Sequence, residues 1–236
     1  MTTALDLSTG HLTALATVVA ATAVLCAAAR RRPGRWTLAA CAALGALTFG
    51  AEAAWIVWLA RQGGWTPAVG LPLQLCDAAT VLAAAALWSR RRVLVEVLWF
   101  WAMAGTVQAL LTPDIPDPYP SFLWFQYYVA HGGVVAAALF LVAGLGIAPR
   151  RGAALRAAAL TAAYAAVVGA VDVATGGDYL YLRSRPLHPS LLDVMGPWPW
   201  YLLSATALAI VLFALLQAPF ASGPRRRAQV LPPEIE

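Results

Sequence analysis

The sequence predicts an all-α, polytopic membrane protein, a bundle of seven transmembrane helices. Three observations predict it. Hydrophobic residues make up 61% of the chain and charged residues only 11%, with a mean hydropathy of +0.70, where a soluble domain carries about a quarter charged residues. Several apolar runs exceed the roughly 18 residues that mark a spanning helix. All of the basic residues are Arg, and most sit in short clusters between the apolar runs or in the C-terminal tail. That is the pattern of cytoplasmic membrane anchors. The basic balance therefore implies no nucleic-acid partner.

Taken in order, the spans are expected at about 11–29, 36–60, 70–88, 93–111, 122–147, 153–174 and 198–220. They form a single domain over 1–221, followed by a disordered cytoplasmic tail over 222–236. The first basic residue, Arg30, follows the first apolar run, so that run reads as a true span rather than a signal peptide. Span one ends at Arg30-Arg31-Arg32-Pro33-Gly34-Arg35, and span three at Arg90-Arg91-Arg92. Span four runs into a loop holding Pro113, Pro116, Pro118 and Pro120, and that many prolines forbid helix. Span five ends at Arg150-Arg151, and span seven begins at the aromatic belt Gly196-Pro197-Trp198-Pro199-Trp200-Tyr201. The alternate loops hold only Arg61, Arg183 and Arg185. The positive-inside rule then places the N-terminus outside and the C-terminus in the cytoplasm.

Within this apolar chain, polar groups gather at one depth. Glu52 lies toward the outer end of span two. Gln74, Cys76 and Asp77 fall in the first turns of span three. Gln108 lies near the outer end of span four, Gln126 and His131 in the outer half of span five, and Asp172 at the outer end of span six. The inner half holds Glu96 as the exception. Lipid-facing placement would be costly, so these groups are expected to line one outward-facing pocket. Gln74, Asp77 and Thr80 are spaced to share a helical face, and Tyr127 is spaced to buttress His131. Gly132-Gly133 permits close helix approach.

Cys26 and Cys41 read as small hydrophobes. Cys76, flanked by Gln74 and Asp77, is a candidate nucleophile or a structural thiol. His131 is a candidate general base or a hydrogen-bonded core histidine. Asp77, Glu52 or Asp172 could orient it. Gln74 and Gln108 could donate to an oxyanion or serve as interhelical glue. Arg183 and Arg185, with Tyr181, could meet a lipid head group, or the arginines could pair with Asp178 and Asp193. No His or Cys spacing supports a metal site, and no cofactor is expected.

Four segments carry a resemblance. They are Leu71-Pro72-Leu73-Gln74-Leu75-Cys76, Phe125 to Gly133, Asp178-Tyr179-Leu180-Tyr181-Leu182-Arg183, and Ser190-Leu191-Leu192-Asp193 with Gly196 to Tyr201. Together they resemble the YwaF-like family of bacterial integral membrane proteins, from about Glu52 to Tyr201. The chain has Gly-Gly-Asp before Tyr179 where that family has Gly-x-Asn. More distantly it is similar to animal transmembrane proteins that transfer fatty acyl groups to ether phospholipids with a Cys and a His. It is also similar to the androgen-induced membrane hydrolases, which use a Thr and a His. The resemblance implies a bacterial plasma-membrane location, an acyl lipid substrate, Cys76 as the acyl-accepting nucleophile and His131 as the base. The function expected is lipid acyltransfer or lipid hydrolysis. The rival is a proton-coupled transporter or small-ligand-binding membrane protein in which Glu52, Asp77, His131 and Asp172 form a proton relay.

Overall fold

The computed structural model describes residues 8–115, 117–186 and 190–221. The tail expected over 222–236 and His188 lie outside the described residues. All regular elements among the described residues are helical: α1 (Thr9–Arg31), α2 (Trp36–Arg61), α3 (Leu75–Ser89), α4 (Arg92–Leu111), α5 (Phe122–Gly144), α6 (Ala153–Thr175) and α7 (Trp200–Ala221). Six of them are long and apolar enough to cross a membrane, and α3 is shorter. Two 3-10 turns, Tyr179–Tyr181 and Leu191–Val194, sit between α6 and α7.

Local chemistry fixes the starts. Ser8 caps α1 by accepting from the His11 N–H at 3.2 Å, and Ser121 caps α5 through the Trp124 N–H at 3.1 Å. These side chains satisfy donors that the first helical turn leaves free. Both α4 and α5 contain a π-helical segment, Ala102–Thr106 and Phe140–Gly144.

Helix α5 is the central post. It packs on α1, α2, α3 and α4, and α2 also packs along α3. Close approach depends on its paired glycines. A Cβ at Gly133 would meet Thr48 Cγ2 of α2 at 2.7 Å, and one at Gly132 would meet Val18 Cγ2 of α1 at 2.6 Å. The core joins Ala83 and Leu87 of α3, Leu98 and Phe100 of α4, and Ala137, Phe140 and Leu141 of α5. In contrast, α1, α6 and α7 expose large apolar side chains such as Val24, Val173 and Leu215. With no water at that depth, these faces suit acyl chains.

The bundle has two chemically different ends. One carries the Arg30–Arg35, Arg90–Arg92 and Arg150–Arg151 clusters, here the arginine end. The other carries the segments joining α2 to α3, α4 to α5, and α6 to α7, here the loop end. At the arginine end Glu96 is 1% exposed and held on both oxygens. Arg150 reaches it through Nε at 2.8 Å and Nη2 at 3.0 Å, and also through its backbone N–H. Arg156 reaches it through Nε and Nη2, both at 3.0 Å. The isolated inner carboxyl of the sequence is thus a clamp joining α4 to the α5–α6 turn and to α6. The Glu96 carboxylate in turn raises the already high pKa of Arg150.

Span three departs from expectation. The helix begins at Leu75, so Gly70 to Gln74 is not helical. Fifteen residues rise about 22 Å, less than the roughly 30 Å hydrocarbon core. Irregular backbone at such a depth survives where protein satisfies its polar groups. Here Tyr179 Oη accepts from the Leu71 N–H at 2.9 Å, Tyr164 donates to the Leu73 carbonyl at 2.9 Å, and Trp65 Nε1 donates to the Gly70 carbonyl at 2.9 Å.

Candidate functional site

The first turn of α3 builds one wall of the site. Gln74 is its N-cap in extended conformation, followed by Leu75, Cys76 and Asp77. The Ala78 N–H to Gln74 carbonyl bond, at 2.9 Å, is the first bond of the helix. The N–H groups of Leu75, Cys76 and Asp77 therefore precede the intrahelical ladder, and the positive end of the helix dipole lies at the Cys76 backbone. Asp77 is the acidic residue of that first turn, where a carboxylate suits the positive end of the helix dipole without a histidine partner. Thr80 donates to the Cys76 carbonyl at 2.8 Å, so the two residues are neighbours one turn apart as expected.

Because Gln74 is the cap rather than a helical residue, the shared face expected for Gln74, Asp77 and Thr80 begins only at Asp77. Gln74 Oε1 accepts from the Leu180 N–H at 2.9 Å. Gln74 thus tethers the α6–α7 loop through its amide oxygen, and its amide nitrogen is the group that can donate.

The second wall is α5. The His131 ring stacks on Tyr127, with centroids 4.0 Å apart and an interplanar angle of 25°. Tyr127 is fixed by its hydroxyl, which donates to the Ala109 carbonyl at 2.7 Å. His131 Nδ1 lies 2.9 Å from the Tyr127 carbonyl. A carbonyl can only accept, so the neutral ring carries its proton on Nδ1 and presents the Nε2 lone pair. Its own helix backbone therefore orients the ring at Nδ1. No carboxylate does so there, contrary to the role expected of Asp77, Glu52 or Asp172. Tyr127 also lies within electrostatic reach of the Cys76 thiol, and α5 packs on α3.

The third wall is α2. Glu52 is 3% exposed, and its Oε1 has no hydrogen-bond partner among the described residues. Asp77 and Cys76 are its electrostatic neighbours. Gln126 Nε2 of α5 donates to the Ala51 carbonyl at 3.3 Å, tying α2 to α5 beside Glu52. Tyr164 of α6 feels the Asp77 charge as well.

Other expected residues stand apart. Gln108 is exposed and follows the π-helical segment Ala102–Thr106 of α4. Asp172 is fully buried but belongs to the loop: its Oδ1 accepts from the Tyr179 N–H at 2.9 Å. The chain passes so tightly here that a Cβ at Gly177 would lie 2.9 Å from the Ala68 carbonyl oxygen. Arg183 donates through Nη1 to the Gly177 carbonyl at 3.2 Å, and its N–H bonds Asp178 Oδ1 at 2.8 Å. Asp178 Oδ2 accepts from the Ser184 hydroxyl. Arg185 pairs with Asp193 at 3.8 Å. Both arginines thus serve the loop, and the head-group role weighed for them has no separate support. Tyr181 is 39% exposed, with Cys76, Asp77 and Asp178 among its electrostatic neighbours. Leu180 and Tyr181 both adopt positive φ, 58° and 53°. Two consecutive non-glycine residues in this region cost about 1–3 kcal/mol each.

Three contributors were missed from the sequence. Tyr179, 2% exposed, accepts from Leu71 and donates to the Pro67 carbonyl at 3.0 Å, joining two loops. Its burial pushes the hydroxyl above the usual tyrosine pKa. Tyr164 had no signal beyond an isolated tyrosine in an apolar run. His11, 3% exposed, lies with Nδ1 2.6 Å from Tyr128 Oη, a pairing that spacing cannot reveal. Among the described residues no group of three or more His, Cys, Asp or Glu is gathered as a metal ion would need.

An all-helical bundle with apolar outer faces and a polar cluster at one end of its core defines a multi-pass integral membrane protein. The chain belongs to the TMEM164 family, a transmembrane family matched over residues 6–217. No curated protein and no solved structure matches it significantly. The likeness to the YwaF-like proteins rests on the four motifs alone.

Proposed function

We propose that this protein is an intramembrane lipid acyltransferase or lipid hydrolase of the plasma membrane, acting at its outward-facing loop end through Cys76 and His131. The observation that supports this reading most is the arrangement at α3: a thiol in the first turn of a helix that packs on α5, which carries the stacked Tyr127–His131 pair with its lone pair on Nε2.

In this reading His131 Nε2 takes the Cys76 thiol proton. The sulfur forms a bond to the acyl carbon of an ester lipid, and the carbon–oxygen bond breaks. His131 then gives its proton to the departing alcohol. The N–H groups at the start of α3 stabilise the oxyanion, with the Gln74 amide nitrogen on the same wall as a further donor. The thioester passes its acyl group to a second hydroxyl or to water. Exposed apolar faces allow the lipid to arrive sideways.

The apolar packing toward the arginine end weighs against the transporter reading. Both oxygens of Glu96 are occupied there, which leaves no relay across the core among the described residues.

The test is reconstitution of purified protein into phosphatidylcholine vesicles with an alkyne-tagged acyl chain on the donor. Cys76→Ala and His131→Ala are expected to abolish tagged product, while Cys26→Ala and Cys41→Ala keep it. Undiminished product from Cys76→Ala rejects the nucleophile.

A further inference from the structure

Glu52 is the buried carboxyl that the mechanism above leaves without a task. Its Oε1 is sealed from solvent and meets no donor among the described residues. Buried polar atoms are nearly always paired, and an orphan of this kind asks for an explanation. Glu96 is clamped by two arginines, while Asp172 holds the Tyr179 N–H through Oδ1 and leaves its Oδ2, at the α6–α7 loop, without a partner among the described residues. Glu52 differs in position. It stands on α2 across from the first turn of α3, with Cys76 and Asp77 as its electrostatic neighbours. Gln126 Nε2 donates to the neighbouring Ala51 carbonyl and ties α2 to α5 beside it. That place, next to the proposed nucleophile, suits a ligand that brings its own donor.

We infer that Glu52 is a catalytic residue of the second half-reaction, where its free carboxylate oxygen holds the hydroxyl of the acyl acceptor and takes the proton of that hydroxyl. The inference rests on the Cys76 thioester reading. The acceptor oxygen forms a bond to the acyl carbon, the carbon–sulfur bond breaks, and the acceptor proton passes to Glu52. The released Cys76 thiolate takes that proton back from Glu52, restoring both groups. No co-reactant is needed. The two bases divide the cycle: His131 serves loading, Glu52 serves discharge. An uncharged hydroxyl suits this place better than an ammonium group, whose dehydration at membrane depth costs far more.

The experiment separates the two half-reactions in vesicles of tagged phosphatidylcholine, with lysophosphatidylcholine as acceptor. Intact-protein mass spectrometry follows the acyl group on Cys76, and lipid chromatography follows its transfer. Glu52→Gln is expected to accumulate the thioester and to transfer it about 10²- to 10⁴-fold more slowly, the usual contribution of a general base. Hydroxylamine, which needs no such base, should still discharge it. Glu52→Asp should recover part of the transfer rate, and it serves as the test if the Gln variant does not fold. His131→Ala should instead fail to load. Discharge at the wild-type rate in the folded Gln or Asp variant overturns the assignment. So does loss of loading and discharge together in a variant that melts like wild type, since that marks a structural role. If wild-type protein forms no Cys76 adduct at all, the proposed function itself fails, a result separable from normal discharge by a Glu52 variant.

Discussion

One hydroxyl at Tyr179 holds two loops to the site. It accepts from the Leu71 N–H and donates to the Pro67 carbonyl, so it fixes the non-helical stretch that leads into Cys76. Tyr179→Phe keeps the ring and deletes both bonds. It should cost about 1–3 kcal/mol, the range for leaving a buried polar group unpaired, read as a lower melting temperature in detergent. The same residue sets a pH effect. Burial holds the Tyr179 proton more tightly in the folded state, with the pKa raised above the ordinary 10.0. Its contribution to stability is whole below the unfolded value and is lost as the pH climbs through the higher folded value. Melting curves of wild type and Tyr179→Phe should therefore converge on the alkaline side; a constant gap would contradict this. Single residues were legible in the sequence when their chemistry was out of place in lipid. That is why Cys76, His131 and Glu52 were singled out. What they bond to was not legible. The place of Asp77 in a first helical turn and the Tyr127 carbonyl at His131 Nδ1 depend on where a helix starts and how a ring turns.

Helix α3 shows the same division among elements. Its apolar run spoke for a span over 70–88, and composition alone cannot distinguish helix from extended chain within such a run. Pro72 was the available signal, because the residue before a proline is pushed toward extended conformations. The contact of α5 with α2 was more legible, since Gly132-Gly133 announces close approach. Gly133→Ala would press a methyl on Thr48 Cγ2 and should destabilise by about 1–3 kcal/mol, as overpacking does. Adding Thr48→Ser removes the opposing methyl. It should restore much of the melting temperature, a coupling that a double-mutant cycle measures. Strictly additive losses would place the strain elsewhere. Gln108 shows the opposite case. It is exposed just after a π-helical segment, and nothing in Ala102 to Thr106 marks that irregular turn.

At the scale of the whole molecule, apolar length and arginine placement made the architecture readable. Six helices are long enough to span, and the shorter α3 leans on the loops around it. The topology proposed from the arginine clusters puts the loop end outside. A C-terminal green fluorescent protein fusion should then fluoresce, and alkaline phosphatase placed in the α6–α7 loop should be active; the reverse pattern would invert the protein. In the sequence Glu96 stands as an exception because the arginines that bind it resemble ordinary interfacial anchors. Glu96→Ala would strand two guanidinium groups and open the join between α4 and α6. Breaking a buried ion pair costs about 3–5 kcal/mol. That scale is reduced here because Arg150 and Arg156 are themselves 44% and 39% exposed.

The clamp also sets a chronology. Glu96 leaves the ribosome long before Arg150 and Arg156, which lie 54 and 60 residues further along the chain. During that interval α4 carries an uncompensated acid and has no settled resting place in the bilayer. Its final seat exists only after the α5–α6 turn and the start of α6 have been made. Biogenesis of this protein therefore contains a waiting step, and nascent chains halted before Arg150 should be held by the insertion machinery or handed to quality-control proteases, while chains extended past Arg156 are released into the membrane.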